Sequence, residues 1–525
     1  MPALTITVYG GWAGADASSG EIGGNKILLE YSGRAWFLDF GTRFGQVGRY
    51  FDEFLNPRSA VGLRDFLRMG LIPPIEGIYR PDLTLHEPGL WERYRNHPGY
   101  RRLDHLDGIL LSHAHQDHNG CLGFIRCEVP VYTGLMTALI GKGMQDIAGG
   151  GPDAQYSYQG VYEVCELGTL RSKTGVRVGR PHFICESDEA ITTAFEPVKS
   201  FLGFHPGKRT TFTPAPVEFA DTGALGMRFF RVDHSIPGSG AFALRTPIGW
   251  IAYSGDLRLH GYSHVRTEQF AKEVAALKPR LLIVEGTSLS EKEATREPAV
   301  REAAEEVAKR EPGLVIADFS PRNIERLRSF RDIALATGRK LVITFKDAYL
   351  LTQMHLIDPN IPEPGEDPIA ILEAPRATRS NWEDGIFDLF GGRLVKAASI
   401  RQNPGGYILC LSFWDITNLI DLEPEGGTYI YSSSEAYDEE QQFDHQRLTN
   451  WLKHFGMKSV GGLPGSEKGS FHASGHMDGP GMEWLIDTIN PERMLPVHTQ
   501  QLGWFLKRWP EKVVRAEYGV PLRFD

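Results

Sequence analysis

Residues 113–118 read His113-Ala114-His115-Gln116-Asp117-His118, directly after the apolar run Gly108-Ile109-Leu110-Leu111 and Ser112. A short apolar run of this kind predicts a buried strand. Three histidines and an aspartate therefore fall at a strand end. Imidazole nitrogen and carboxylate oxygen are the donors that suit zinc and related divalent ions. A tight loop can set His113 and His115 on one ion and Asp117 and His118 on a second. Two ions a few ångströms apart clamp the attacking and leaving oxygens of a hydrolysed ester. The bland alternative is a solvated polar loop that holds three histidines by chance.

Working outward, further donors occur downstream. Arg231-Val232-Asp233-His234-Ser235 ends a short apolar stretch on a histidine. Trp250-Ile251-Ala252-Tyr253-Ser254-Gly255-Asp256 runs from a strand pattern into a turn, and a carboxylate there can bridge two ions. Met494-Leu495-Pro496-Val497-His498 is a third strand ending on a donor. One strand-end histidine means little, but several predict loops converging on one face of a sheet sandwich.

The His-x-His-x-Asp-His run, with His234, Asp256 and His498 in that order, resembles the metallo-β-lactamase superfamily. Leu281-Leu282-Ile283-Val284-Glu285-Gly286-Thr287 resembles the first signature of its β-CASP subgroup, His472-Ala473-Ser474-Gly475-His476 the second, and His498 the third. Gly10-Gly11, Glu21-Ile22-Gly23-Gly24-Asn25 and Phe37-Leu38-Asp39-Phe40-Gly41 are similar to the N-terminus of ribonuclease J-type members. The resemblance covers nearly the whole chain. It implies an α/β protein, a metallo-β-lactamase αββα sandwich with an inserted β-CASP α/β domain.

On this reading His113, His115 and His234 hold one ion, Asp117, His118 and His498 the other, and Asp256 lies between them. Zinc is the expected metal, and manganese also accepts such donors. Structural zinc sites usually close with four protein ligands, mostly cysteines, whereas histidine and carboxylate leave room for water. The candidate catalytic residues are His476 as general acid, Glu285 orienting it, and Asp117. Ser474, Gly475 and His472 are candidates for substrate contact, through the amides of 474–476 in particular. Asp39 is expected to hydrogen-bond a metal-loop residue. His260 and His264 read as surface or supporting residues rather than ligands.

Length and composition fit this outline. A chain of 525 residues suggests two or three domains. Its 41% hydrophobic and 23% charged residues are those of a globular protein. No stretch approaches the ~18 apolar residues of a membrane span, and the first residues lack the pattern of a signal peptide. Five cysteines without zinc-like spacing point to buried thiols in a reducing cytoplasm. The net charge of −10 works against a nucleic-acid partner, so any basic surface must be local.

Three segments are expected: 1–290 and 469–525 forming the metal-binding domain, and 291–468 inserted between them. Residues 43–106 are irregular, and a second excursion runs from about 136 to 224; both are expected to narrow the site mouth. Within the insert, helical patterns at 291–310, 321–337, from about 347, and at 436–456 alternate with strand patterns at 314–317 and 340–344. This predicts a parallel sheet. A helix at 478–489, a strand at 493–497 and a short tail follow. Arg322, Arg326, Arg328 and Arg331 in the 321–337 segment either touch a phosphate backbone or form a solvated helix face.

Two departures from ribonuclease J-type chains stand out. Few residues follow His498, so the extra C-terminal domain of many such chains is expected to be absent, which leaves homo-oligomeric assembly open. Where those chains carry Thr-Gly-Ser-Gln-Gly-Glu, this one has Leu411-Ser412-Phe413-Trp414-Asp415. The leading expectation is a metal-dependent phosphodiesterase acting on single-stranded RNA, with DNA as the other candidate polymer and no membrane partner. A small-molecule hydrolase (lactonase, lactamase or cyclic nucleotide phosphodiesterase) on the same metal core, and a non-catalytic RNA-binding subunit, are the competing readings.

Overall fold

The computed structural model describes residues 3–13, 20–52, 54–291, 293–320, 322–433, 439–467 and 469–525. Two sheets lie face to face. In the first, Leu4–Gly10, Lys26–Tyr31 and Arg34–Leu38 form an antiparallel meander. Gly108–Leu110, Val131–Thr133, His182–Ile184 and Val217–Phe219 extend it in parallel. The stretch expected as a plain tail supplies an eighth strand, Leu522–Phe524, beside Leu4–Gly10. The second sheet runs in the order Met227–Arg231, Gly240–Thr246, Gly249–Tyr253, Leu281–Val284, Arg493–Pro496.

Successive side chains of a strand point to opposite faces. Leu4, Ile6, Val8 and Leu38 accordingly face inward and pack with Phe242, Leu244, Ile251 and Leu495 of the other sheet. Leu28 and Phe37 face outward and are covered by Leu63, Leu67, Ile75, Ile78 and Leu83. The irregular 43–106 segment thus covers a sheet face with most of its apolar residues, and only part of it reaches the site. Helices His264–Leu277 and Gly479–Ile489 cover the outside of the second sheet.

The insert carries a seven-stranded, all-parallel sheet. Its order is Leu394–Lys396, Ile369–Glu373, Lys340–Ile343, Tyr407–Cys410, Val315–Asp318, Thr428–Tyr431, Lys458–Gly461. Its helices begin where the sequence supplies a start signal. Glu297–Arg310 starts six residues later than the pattern suggested, with Pro298 in its first turn, where a missing N–H costs nothing. Ile324–Thr337 starts at its cap, Asn323, whose side chain accepts from the Arg326 amide at 3.1 Å. Phe345–His355 opens with a capping box between Thr344 and Asp347. The last helix is Glu439–His454; residues 436–438 of the expected span lie outside the described residues. The two junctions of the insert meet: Ser288 bridges Asp478, and the Asp478 carboxylate accepts from the Ala294 amide at 2.9 Å.

Candidate metal centre

Every predicted donor sits where a strand of the two facing sheets ends. Past Gly108–Leu110, the chain turns at Ser112 and His113 and makes one helical turn, Gln116–Asn119. The neighbouring loop closes tightly on it: a Cβ at Gly41 would lie 1.7 Å from the Asp117 carbonyl oxygen, so only glycine fits. Asp39, two residues earlier, adopts a φ of +55°, and His498 one of +51°. Non-glycine residues rarely take that conformation, and they take it mostly where surrounding structure holds them there.

The Asp39 carboxylate is wholly buried. It accepts from the Ser112 amide at 2.7 Å, the Ser112 hydroxyl at 2.7 Å, the Tyr253 hydroxyl at 2.6 Å and His118 Nδ1 at 2.6 Å. This fixes the His118 ring with Nε2 turned to Asp256 Oδ2, 3.1 Å away. Burial opposes a charge on His118, but Asp256, Asp117 and Asp39 together push its pKa well above the ordinary value.

Three groups of donor atoms converge, each within 4.8 Å: His113, His115 and His234; Asp117, His118, Asp256 and His498; and Asp256, Glu285, His476 and His498. His115 Nδ1 lies 3.1 Å from both His113 Nε2 and His234 Nε2. Burial first, then neighbouring charge, holds all three rings well below the ordinary histidine pKa. Neutral lone pairs pointing at one another call for a cation between them. Asp256 Oδ1 is buried with no hydrogen-bond partner, which is costly for a carboxylate unless something binds it. Both observations fit divalent metal ions.

Beside this cluster, Glu285 accepts from the Leu257 amide at 3.1 Å, the Thr287 hydroxyl at 2.7 Å and His476 Nδ1 at 3.0 Å. Burial works against a charged His476, yet Glu285, Asp256 and Asp117 raise its pKa to about 9. Thr287 also stands 2.9 Å from His498 Nδ1, leaving His498 Nε2 facing Asp117 at 3.1 Å.

Ser474, Gly475 and His472 engage protein rather than open space. The Ser474 hydroxyl accepts from the His476 amide at 3.1 Å, and the Gly475 carbonyl takes the hydrogen bond of His234 Nδ1. A Cβ at Gly475 would meet His234 Cε1 at 2.8 Å. His472 Nδ1 lies 3.3 Å from the Ser432 carbonyl, and burial, with Arg326 nearby, lowers its pKa to about 4.

Sequence reasoning missed what holds this loop. Arg258, fully buried, donates to Asp233 at 3.2 Å, Glu297 at 3.2 Å, Glu325 at 2.7 Å and the Ser474 carbonyl at 3.1 Å. Arg326 grips Glu297 with two bonds, at 3.0 and 3.1 Å, and reaches the carbonyls of Ser432 and Phe471. His260 is 6% exposed and bonds the Ser474 carbonyl at 2.7 Å, so it is a buried prop and not a surface residue. His264 stays half-exposed and pairs with Glu268. No local pattern could have revealed a network whose members span 233 to 474. Removing one partner of a buried pair strands the other charge. Arg326→Met is expected to cost about 3–5 kcal/mol, read as a lower urea midpoint; an unchanged midpoint would contradict the network's role.

Two facing sheets with flanking helices, strand-end donors and an inserted parallel-sheet unit define a metallo-β-lactamase αββα fold with an inserted α/β domain. In sequence the chain is ribonuclease J-like over about nine tenths of its length. It is 20% identical to ribonuclease J of Pyrococcus abyssi over 493 residues, covering 91% of this chain and 87% of that protein. It is 24% identical to ribonuclease J of Thermus thermophilus over 528 residues, covering 96% and 72%. With ribonuclease J of Corynebacterium glutamicum it shares 23% over 494 residues, but spans only 52% of that longer protein. No family model matches. A crystal structure of a protein of unknown function from Enterococcus faecalis V583 superposes with a TM-score of 0.64 at 19% identity, covering 99% of this chain and all of that one. Among the described residues no helix is long and apolar enough to cross a membrane.

Proposed function

We propose that the protein is a metal-dependent nuclease that hydrolyses phosphodiesters of single-stranded RNA. The observation that carries the proposal is the juxtaposition of the His/Asp cluster with the Glu285–His476 pair. Divalent ions bound there, zinc by preference or manganese, would supply Lewis acidity to the phosphoryl group and to water. His113, His115 and His234 would hold one, and Asp117, His118 and His498 the other, with Asp256 shared. Glu285 keeps His476 charged and turned into the site. From there His476 Nε2 hands a proton to the leaving oxygen. Asp39 locks His118, and the Ser474–Gly475 turn locks His476 and His234, so the acid and two donors are positioned before substrate arrives. The names of the curated relatives support RNA as the substrate class.

The proposed division into 1–290 with 469–525, and 291–468, would put both ends of the insert beside the donors, a reading that the Ser288–Asp478 bridge supports. A substrate strand would then pass between the two units, and a cleft narrow enough to exclude a duplex would admit only a single strand. Purified protein loaded with Zn²⁺ or Mn²⁺ is expected to cut labelled single strands far faster than blunt duplex. Equal rates would refute the cleft argument. The net charge of −10 favours the small-molecule reading instead, and rapid hydrolysis of a small ester with no nuclease activity would establish it.

A further inference from the structure

Of the four arginines near the start of the Ile324–Thr337 helix, three are spoken for. Arg326 lies in the buried network, Arg328 pairs with Asp358 at 3.3 Å, and Arg331 with Asp332 at 3.0 Å. Arg322 differs. Among the described residues no carboxylate lies within ion-pair distance of it, and its one side-chain hydrogen bond is a long one, 3.4 Å to the Ser320 hydroxyl. It follows Val315–Asp318, so it stands at the carboxyl edge of the parallel sheet, where open α/β sheets bind ligands. Its charge is felt at His115 and at Asp117.

Arg322 also lines a cavity of about 480 Å³ that adjoins the metal loop. That volume is in the range of small-ligand pockets. Gln116 and Asn119 of the loop form one wall, and Phe44, Phe66 and Tyr156 from the two excursions form others. Planar aromatic walls, amide side chains and an unpaired guanidinium make a berth for a base attached to a phosphate. Guanidinium binds phosphate through two parallel bonds, a geometry lysine lacks.

We propose that Arg322 grips the phosphate at the cleavage point and that the adjoining cavity seats the nucleotide on that side of it. The inference rests on the nuclease reading and adds a residue from the inserted unit to a site otherwise built from the facing sheets. An arginine there also supplies the local positive charge that an acidic chain needs to approach a polyanion.

The test is equilibrium binding of full-length, zinc-loaded protein to a labelled 2′-O-methyl phosphorothioate single strand, which resists cleavage, over a range of salt. Each phosphate contact on a single strand contributes about 0.7 to the slope of log K against log salt. Arg322→Ala is expected to weaken binding roughly tenfold, about the worth of one charge-assisted bond, and to reduce that slope by about 0.7, with metal content unchanged. Arg322→Lys should restore the slope but only part of the affinity. Ala154→Trp, at an exposed position on the cavity wall, should weaken binding with the slope intact. Wild-type affinity and slope in Arg322→Ala would overturn the inference. A wild-type protein that binds no single strand at any salt would instead sink the nuclease reading on which it depends.

Discussion

Asp256→Ala is expected to remove bound metal and activity together. Asp256 reaches His118, His498 and His476 from one carboxylate, at 3.1, 3.7 and 3.8 Å, and touches two of the three donor groups. His118 and His498 offset its burial and draw its pKa well below the ordinary range, so it is ionised at any working pH. Loss of that charge leaves Asp117 as the one carboxylate among the assigned ligands to balance two cations. Elemental analysis should find two divalent ions per wild-type chain and fewer than one in the variant, with hydrolysis at background. Full metal occupancy in Asp256→Ala would disprove the shared-ligand assignment.

The second large effect belongs to His476. His476→Ala should keep its metal yet slow cleavage roughly 10²-fold or more, as loss of a general acid does. The pH dependence has a definite sign. A histidine pKa raised to about 9 means that the proton-donating form is present below that pH and is lost as pH rises through it. Cleavage should therefore fall on the alkaline side, as that proton is lost. In Glu285→Gln the counter-charge is gone, so the limb should move to lower pH. A wild-type rate in His476→Ala, or a limb unmoved in Glu285→Gln, would take the pair out of the mechanism.

The sequence exposed the donors because metal chemistry compresses them: four of the seven fall in one six-residue loop, and the other three each end an apolar strand. The facing sheets were legible for the same reason, since buried strands read as apolar runs. Arg258 was invisible, because its partners come from four distant segments and its own surroundings, Leu257 and Leu259, look like any strand-end loop. The late start of the Glu297 helix was foreshadowed by Pro298 but masked by the helix-favouring composition of 291–296. Gly475 looked like a phosphate-binding turn; its role as a packing partner of His234 follows only from contacts between residues 241 apart.

The Arg493–Pro496 strand has a consequence in time. It completes the second sheet by pairing Leu281 with Arg493 and Val284 with Pro496, and it delivers His498. Six donors have emerged once residue 256 is made, yet the seventh follows on the order of tens of seconds later at ~5–20 residues per second. Once the parallel sheet between them forms, it draws its two junctions together and shortens the gap the last strand must close. A growing chain therefore carries six of the seven candidate donors and an incomplete site. The candidate metal centre is completed late, with only the Leu502–Arg508 helix and the Leu522–Phe524 edge strand still to follow.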